Sequence, residues 1–505
     1  MDVTQILMLI TILVYLAAMV GIGAVLAKQN QTTDDFYLGG PLVTAMSAEA
    51  SDMSSWLLMG LPGVAYLSGT ADAAWTAIGL AIGTYVNWLV VAKRLRNYTH
   101  VCGNSTTLPL FFSNRYRDNK RILSVIAALL IIIFFVPYTA SGFAACGKLF
   151  ANLFGMDYLP AMLISAIVIV AYTTLGGFLA ASTTDFVQSI VMTIAIVVVF
   201  GFGISKVGSF SAVMDNAKSM AGYFSLTHTH DVATGTASPY SLLQIFSTLA
   251  WGLGYFGMPH VLLRFMAIGD ANKLKLSRRV ATVWVVISMA VSVFIGVIGN
   301  AMTKAGVLPT LKDPETIILV VADLISKHGV LATIIAGLIL AGILAATMST
   351  ADSQLLAASS SASQNILKEV FMKDMSEKTG MLIARITVLV IALIGVFIAR
   401  NPDSSVFQIV SFAWAGFGAS FGPLVLLALF WKRSTFQGAL CGMVSGGVMV
   451  FVWKFLIRPM GGALGIYELL PAFLLGLAVN VIVSLLTPAP SREVQDEFDK
   501  VASMK

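Results

Sequence analysis

Apolar runs of roughly 20 residues recur about thirteen times along this 505-residue chain, and that periodicity leaves few folds open to it. They lie near 5–27, 42–68, 73–92, 122–147, 158–179, 185–205, 241–263, 280–303, 330–361, 382–399, 404–431, 436–457 and 466–487. Each is long enough to cross a bilayer as a helix, and in lipid a spanning segment has to satisfy its own backbone donors and acceptors. With 57% apolar and 11% charged residues and a mean hydropathy of +0.87, a soluble domain is excluded and an all-α polytopic membrane protein is predicted. The first run follows Asp2 with no basic n-region and no cleavage site, so it reads as a retained span and not a signal peptide. Cys102, Cys146 and Cys441 are scattered and odd in number, which gives neither a disulfide framework nor a Cys-x-x-Cys metal site.

A net charge of +6 in such a chain reflects basic loops that fix topology, not nucleic-acid binding. With the N-terminus outside, 22 of the 31 Lys and Arg residues fall in inner segments, the clusters at 93–121, 264–279 and 368–385 chief among them. That asymmetry predicts an outside N-terminus and a cytoplasmic C-terminus in the cell inner (cytoplasmic) membrane. The longest connections, 206–240 and 304–329, are then both outside. The first carries His228-Thr-His230, a potential metal pair with no further ligand nearby; the second carries an amphipathic 314–327 that predicts a short surface helix. The tail from Thr487 reads as a solvated end.

The polar residues inside the spans carry the functional signal. Ser47 to Gly63 places Glu49 and Asp52 and four hydroxyls in an apolar run, although a charge at bilayer depth costs at least ~2.5–3.5 kcal/mol. Gly60-Leu-Pro-Gly63 predicts that the helix opens there. A second interruption, Trp251-Gly-Leu-Gly-Tyr-Phe-Gly-Met-Pro-His260, lies five spans later. Two broken helices at that spacing suit two five-helix repeats, spans two to six and seven to eleven, with a binding site at mid-membrane; the same glycines would also serve close helix packing. In the ninth span Ala346, Ser349, Thr350 and Ser353 share one helical face, and converging hydroxyl and carbonyl oxygens suit a hard monovalent cation such as Na⁺. Bonding of each hydroxyl to the preceding turn is the alternative. Four carboxylates lie at or near membrane depth, Glu49, Asp52, Asp185 and Asp352; Asp185 is either a cap of the sixth span or part of an ion path. Trp56, Tyr138, Trp251 and Tyr255 could enclose an amino acid, or be core or interface anchors.

These residues resemble the sodium/solute symporter family, and within it the proline branch. The resemblance is carried by Ala50-Ser-Asp-Met-Ser-Ser-Trp-Leu-Leu-Met-Gly-Leu-Pro-Gly63, by Trp251 to His260 followed by Arg264-Phe-Met-Ala, by Met348-Ser-Thr350, by Ala413-Trp-Ala-Gly-Phe-Gly418 and by Arg433-x₄-Gly-Ala. It runs from about residue 5 to 487 and implies a LeuT-type inverted-repeat transporter with about 13 spans. The implied units are 1–40 (first helix and inner loop), 41–205 and 241–431 (the repeats), 206–240 (outer loop), 432–487 (two added helices) and 488–505 (tail). The resemblance implies a Na⁺ site from the carbonyls of Ala50, Met53 and Ala346 and the hydroxyls of Ser349 and Thr350, with Asp52 as the motif's essential aspartate. It implies a proline pocket at Ser54, Trp56, Tyr138, Trp251, Tyr255 and Pro259, and a possible second Na⁺ or ion path at Asp52, Asp185, Asp352 and Ser353. Two departures stand out: Gly39-Gly-Pro41 replaces the family's Gly-Gly-Arg, and Ser55 stands where Gly is expected.

The expected function is Na⁺-coupled proline uptake by alternating access, with no enzymatic chemistry, no nucleic acid and no obligatory protein partner beyond the bilayer. Rival readings are a symporter for pantothenate, a sugar or another amino acid, a proton-translocating subunit with Glu49, Asp52 and Asp352 as relays, and a transporter-like sensor. The spans lack the buried lysines that proton relays string along several helices.

Overall fold

The computed structural model describes residues 2–27, 45–268, 274–371 and 375–504, so Gly39-Gly-Pro41 lies outside the described residues. The apolar runs are helices, as backbone in hydrocarbon requires. After α1 (Val3–Ala27), the second expected span comes in two pieces, α2 (Ala45–Asp52) and, beyond Met53 and Ser54, a π-helical turn Trp56–Gly60 leading into α3 (Leu61–Ser68). Gly69 then turns the chain at φ +86°, a position closed to any side chain because a Cβ would stand 2.1 Å from Tyr223 O. Next come α4 (Thr70–Val86), a π-helical turn Asn87–Val91, α5 (Ala92–Val101), α6 (Leu108–Arg115), α7 (Ile122–Phe154), α8 (Tyr158–Val207) and α9 (Phe210–Ser219). A hairpin of β1 (His228–Asp231) and β2 (Thr236–Pro239) pairs His228 with Pro239.

The seventh expected span is also interrupted: α10 (Leu242–Leu249), a 3₁₀ stretch Ala250–Gly257, an extended Met258, then α11 (Pro259–Ala267). The chain continues through α12 (Leu274–Lys304), α13 (Ile317–Ser326), α14 (Val330–Ser360) with a π-helical extension Ser361–Phe371, α15 (Glu377–Ala399), α16 (Val406–Phe430), α17 (Phe436–Val452), α18 (Leu469–Leu486) and α19 (Arg492–Ser503).

Among the described residues ten helices are long and apolar enough to cross a membrane. The three remaining expected positions, 42–68, 158–179 and 241–263, fall on the two interrupted segments and on the first part of α8. At 50 residues α8 would be about 75 Å long if straight. Yet the Tyr158 hydroxyl bonds Ala399 O at the end of α15, Lys206 meets His328 just before α14, and Ala181 packs on Leu356 and Ala384 at the opposite end. The run therefore doubles back near 181 and supplies both the fifth and the sixth expected crossings. The centre of the bundle is α14 and α16, with 83% of the apolar window of α16 buried against 22% for the peripheral α1.

Two expectations are corrected, and one connection shows local structure. The 314–327 segment is not a surface helix, because Ile317, Ile318, Leu319, Val321, Ala322 and Ile325 of α13 are buried. The 206–240 connection is ordered as α9 and the hairpin. The tail is not merely solvated: α19 buries Val494, Phe498 and Val501, Arg117 pairs with Glu493 and Glu497, and Lys432 pairs with Asp499. Phe498 lies under the guanidinium groups of Arg94 and Arg115, which ties the tail to the basic end of the bundle.

Candidate ion and solute site

The first interruption is not at Gly60-Leu-Pro-Gly63. The Leu61 N–H reaches back five residues to Trp56 O, so the missing donor of Pro62 falls where the ladder is already changing from π to α, and the chain stays helical. The opening is at Met53 and Ser54 instead. Met53 N still bonds Glu49 O at 2.8 Å, but Ser54 N turns to Asp52 O (2.9 Å) and Leu57 N to Ser54 O (3.0 Å). Ala50 O thereby loses the N–H an α-helix would give it and accepts the Ser349 hydroxyl from α14 at 2.7 Å. The same hydroxyl lies 3.2 Å from Ala346 O. Three of the five expected ligand atoms thus meet at one point; Thr350 Oγ1, one residue on, is buried with no hydrogen-bond partner. One hydroxyl proton spread over two carbonyls leaves this group of oxygens short of positive charge, which fits a small hard cation.

On the next turn of α14, Ser353 Oγ bonds Ser349 O (3.0 Å) and accepts from Arg264 Nη2 at 2.7 Å. The same Nη2 pairs with Asp185 Oδ2 at 2.8 Å, both side chains being at most 1% exposed, while Arg264 Nε reaches Ser47 Oγ (3.3 Å) and Nη1 donates to His260 O (2.9 Å). Ser47 donates to Asp185 Oδ2 at 3.0 Å. One guanidinium therefore ties α2, α8, α11 and α14. This corrects two expectations: Arg264 belongs to no basic loop, and the Asp185 carboxylate accepts from Arg264 and Ser47 rather than from a helix-end backbone N–H. The expected grouping of Asp52 with Asp185, Asp352 and Ser353 also divides. Asp185 and Ser353 share Arg264, Asp352 accepts from Ser353 at 3.3 Å with Oδ2 unpartnered, and Asp52 Oδ2 instead accepts the Tyr255 hydroxyl at 2.6 Å.

The second interruption exposes carbonyls of its own, and two side chains meet them: Trp414 Nε1 donates to Trp251 O (2.7 Å) and Asn87 Nδ2 to Tyr255 O (3.1 Å). The glycines also allow close packing, since a Cβ on Gly252 would stand 2.2 Å from Gly79 O. The glycine-rich stretch is thus both interrupted and closely packed.

Ser54, Trp56, Tyr138, Trp251, Tyr255 and Pro259 are all buried. Trp56 stacks on Trp251 at 6.1 Å, and Tyr255 stands edge-on to Trp414 at 5.0 Å. Pro259 opens α11, where its missing N–H costs nothing. Trp251 in turn stacks on Tyr467 (5.1 Å) and meets Phe407 at a tilt (5.3 Å), and all three line a cavity of about 1020 Å³ at the end of the bundle that carries 304–316 and 400–405. In its wall Glu315 accepts Lys148 Nζ (2.8 Å) and the backbone N–H groups of Val406 and Phe407 (3.0 Å each), which fixes the start of α16 and Phe407 over Trp251. Trp56, Tyr138 and Tyr255 are not among the residues lining that cavity.

His228 and His230 are set on the hairpin, and among the described residues no group of three or more His, Cys, Asp or Glu could hold a metal. The cysteines are all free.

The model of the Sodium:solute symporter family matches residues 36–446. The "Sodium/proline symporter" of Escherichia coli (strain K12) is 40% identical over 500 residues, covering 97% of this chain and 95% of that one. The "Osmoregulated proline transporter OpuE" of Bacillus subtilis (strain 168) is 39% identical over 489 residues, 96% of each. Among solved structures, a substrate-bound, outward-open Na⁺-coupled sialic acid symporter superimposes with a TM-score of 0.78 at 19% identity, over 96% of this chain and 99% of that one. The fold is thus of the LeuT type expected from the sequence, and by matched length and identity this chain belongs to the Sodium:solute symporter family.

Proposed function

We propose that the protein is a Na⁺-coupled L-proline symporter of the cell membrane that works by alternating access. The observation that carries the reading is the Ser349 hydroxyl bridging Ala50 O and Ala346 O, which joins the opened second span to the ninth through oxygens a Na⁺ ion would hold together. Na⁺ there, held by the carbonyls of Ala50, Met53 and Ala346 and the hydroxyls of Ser349 and Thr350, would pin α2 to α14. Ser54 and Trp56 follow directly on the opened turn, so pinning it also fixes one wall of the pocket shared with Tyr138, Trp251, Tyr255 and Pro259. Proline then binds more tightly to the Na⁺-loaded form, and by reciprocity raises Na⁺ affinity by the same factor. The two sequence relatives named for proline support the choice of solute.

In this reading 41–205 and 241–431 are the two repeats, and the end with Arg94, Arg115 and Arg117 faces the cytoplasm. The cavity above Trp251 is the outer vestibule. The protein does no enzymatic chemistry; the ion gradient supplies the work.

The test is uptake of labelled proline into proteoliposomes under an imposed Na⁺ gradient, beside a proton gradient alone, with pantothenate, sugars and other amino acids as competitors. Uptake driven by the proton gradient alone, or unaffected by unlabelled proline, refutes the reading. Ser349→Ala should raise the Na⁺ concentration for half-maximal uptake about tenfold, the worth of one ligand hydroxyl at about 1.4 kcal/mol, whereas His228→Ala should leave it unchanged. Trp251→Ala should raise the half-saturating proline concentration several-fold at saturating Na⁺, because it removes the ring between pocket and vestibule. An unchanged value would show that Trp251 is core only.

A further inference from the structure

The carboxylates buried among the spans outnumber the cation bonded to them. Glu49, Asp52, Asp185 and Asp352 are each at most 1% exposed, and the salt bridge among them, Arg264 to Asp185, serves only one. Glu49 and Asp52 stand three residues apart on α2, hence on one face. One oxygen of each is held: Trp88 Nε1 donates to Glu49 Oε1 at 2.7 Å and the Tyr255 hydroxyl to Asp52 Oδ2 at 2.6 Å. The other oxygen of each, Glu49 Oε2 and Asp52 Oδ1, is buried with no hydrogen-bond partner.

Two neutral oxygens lie on the helical segment that also carries Trp88. Asn87 Oδ1 is buried with no hydrogen-bond partner, and the buried Thr84 hydroxyl is within reach of the Tyr255 hydroxyl that holds Asp52. Asn87 donates its amide to Tyr255 O, so its carbonyl oxygen lies beside the tyrosine that holds Asp52. Thr84, Asn87 and Trp88 recur at i, i+3 and i+4, which turns all three toward one side. Buried acceptors are ordinarily paired, and an unpaired buried charge costs far more than an unpaired amide. What the unpartnered oxygens need is positive charge, and a set of carboxylate, hydroxyl and amide oxygens without sulfur or nitrogen suits a hard cation.

We propose that Glu49, Asp52, Thr84 and Asn87 form a second monovalent-cation position. It lies against the third and seventh spans, whereas the cage at Ser349 lies against the ninth, and Arg264 already fills the place between Asp185 and Ser353. Asp52 is joined by one peptide bond to Met53 of the first cage and by a hydrogen bond to Tyr255 of the proline pocket, so occupancy of either position bears on both the other and the solute. The inference rests on the Na⁺-symport reading.

Equilibrium binding of radiolabelled Na⁺ to the purified full chain without proline tests it. Wild type should hold two equivalents, Glu49→Gln one, Ser349→Ala two with one weakened about tenfold, and the double variant that weakened one alone. A single equivalent in wild type, or two that survive Glu49→Gln, overturns the second position while leaving the symport reading intact; no Na⁺ bound by any form overturns both. Glu49→Asp, which keeps the carboxylate, should retain two equivalents with one weakened about tenfold. It decides the matter if Glu49→Gln is not monodisperse, and an unweakened Glu49→Asp counts against the assignment.

Discussion

Asp52→Asn should lower Na⁺-dependent proline uptake by about 100-fold at limiting Na⁺ while the protein remains folded. The carboxylate sits where α2 opens, next to Met53, and its Oδ1 is buried without a partner. At an effective dielectric of about 20, a carboxylate about 5 Å from a monovalent cation contributes about 3 kcal/mol, or roughly two orders of magnitude in affinity. Asparagine is nearly isosteric and can still accept the Tyr255 hydroxyl through its amide oxygen, so the bond across to the seventh span survives and the loss falls on the ion. The measurement is uptake as a function of external Na⁺, with size-exclusion behaviour as the folding control. A rise in half-saturating Na⁺ that saturating Na⁺ overcomes is the expected pattern. An unchanged Na⁺ dependence would remove Asp52 from the coordination scheme, and a protein that no longer purifies as a single species would make its role structural.

Much of this arrangement is legible in the sequence because lipid enforces simple rules. A run of about 20 apolar residues has one stable form in a bilayer, so among the described residues ten spans emerge where hydropathy puts them. Hydroxyls at i, i+3, i+4 and i+7 share a face, and Ser349 and Ser353 do face α2 and α11. What stays hidden is tertiary. Pro62 marks a break by local propensity, but a proline where the ladder changes register removes no bond, and the opening moves to Met53 and Ser54, which carry no breaker signal. Arg264 at the end of a short apolar run reads as loop charge until folding brings Asp185, 79 residues away, against it. The partner of Glu49 is likewise invisible along the chain, because Trp88 in isolation is one more aromatic in a span. In the tail, alternating charge conceals Val494, Phe498 and Val501 on one face.

Removing Arg264 should be the most disruptive change to stability. Its guanidinium holds Asp185, Ser353, Ser47 and His260 O at once, with the ion pair almost wholly out of solvent. A buried pair adds little over well-packed apolar residues, yet taking one partner strands the other charge at a cost of about 3–5 kcal/mol. Arg264→Gln should therefore lower the melting temperature in detergent sharply, whereas Asp185→Asn on the same background, which discharges the stranded carboxylate, should recover most of the loss. Stability and transport should then separate. The double variant lacks the charged tie between α11 and α8 that also steadies Ser353 one turn from Ser349, so its Na⁺ affinity should remain below wild type even where its melting temperature does not. If Asp185→Asn gives no recovery, the cost of Arg264→Gln lies in lost hydrogen bonds and packing and not in uncompensated charge. If the double variant regains full Na⁺ affinity, Arg264 is a structural tie with no bearing on the ion.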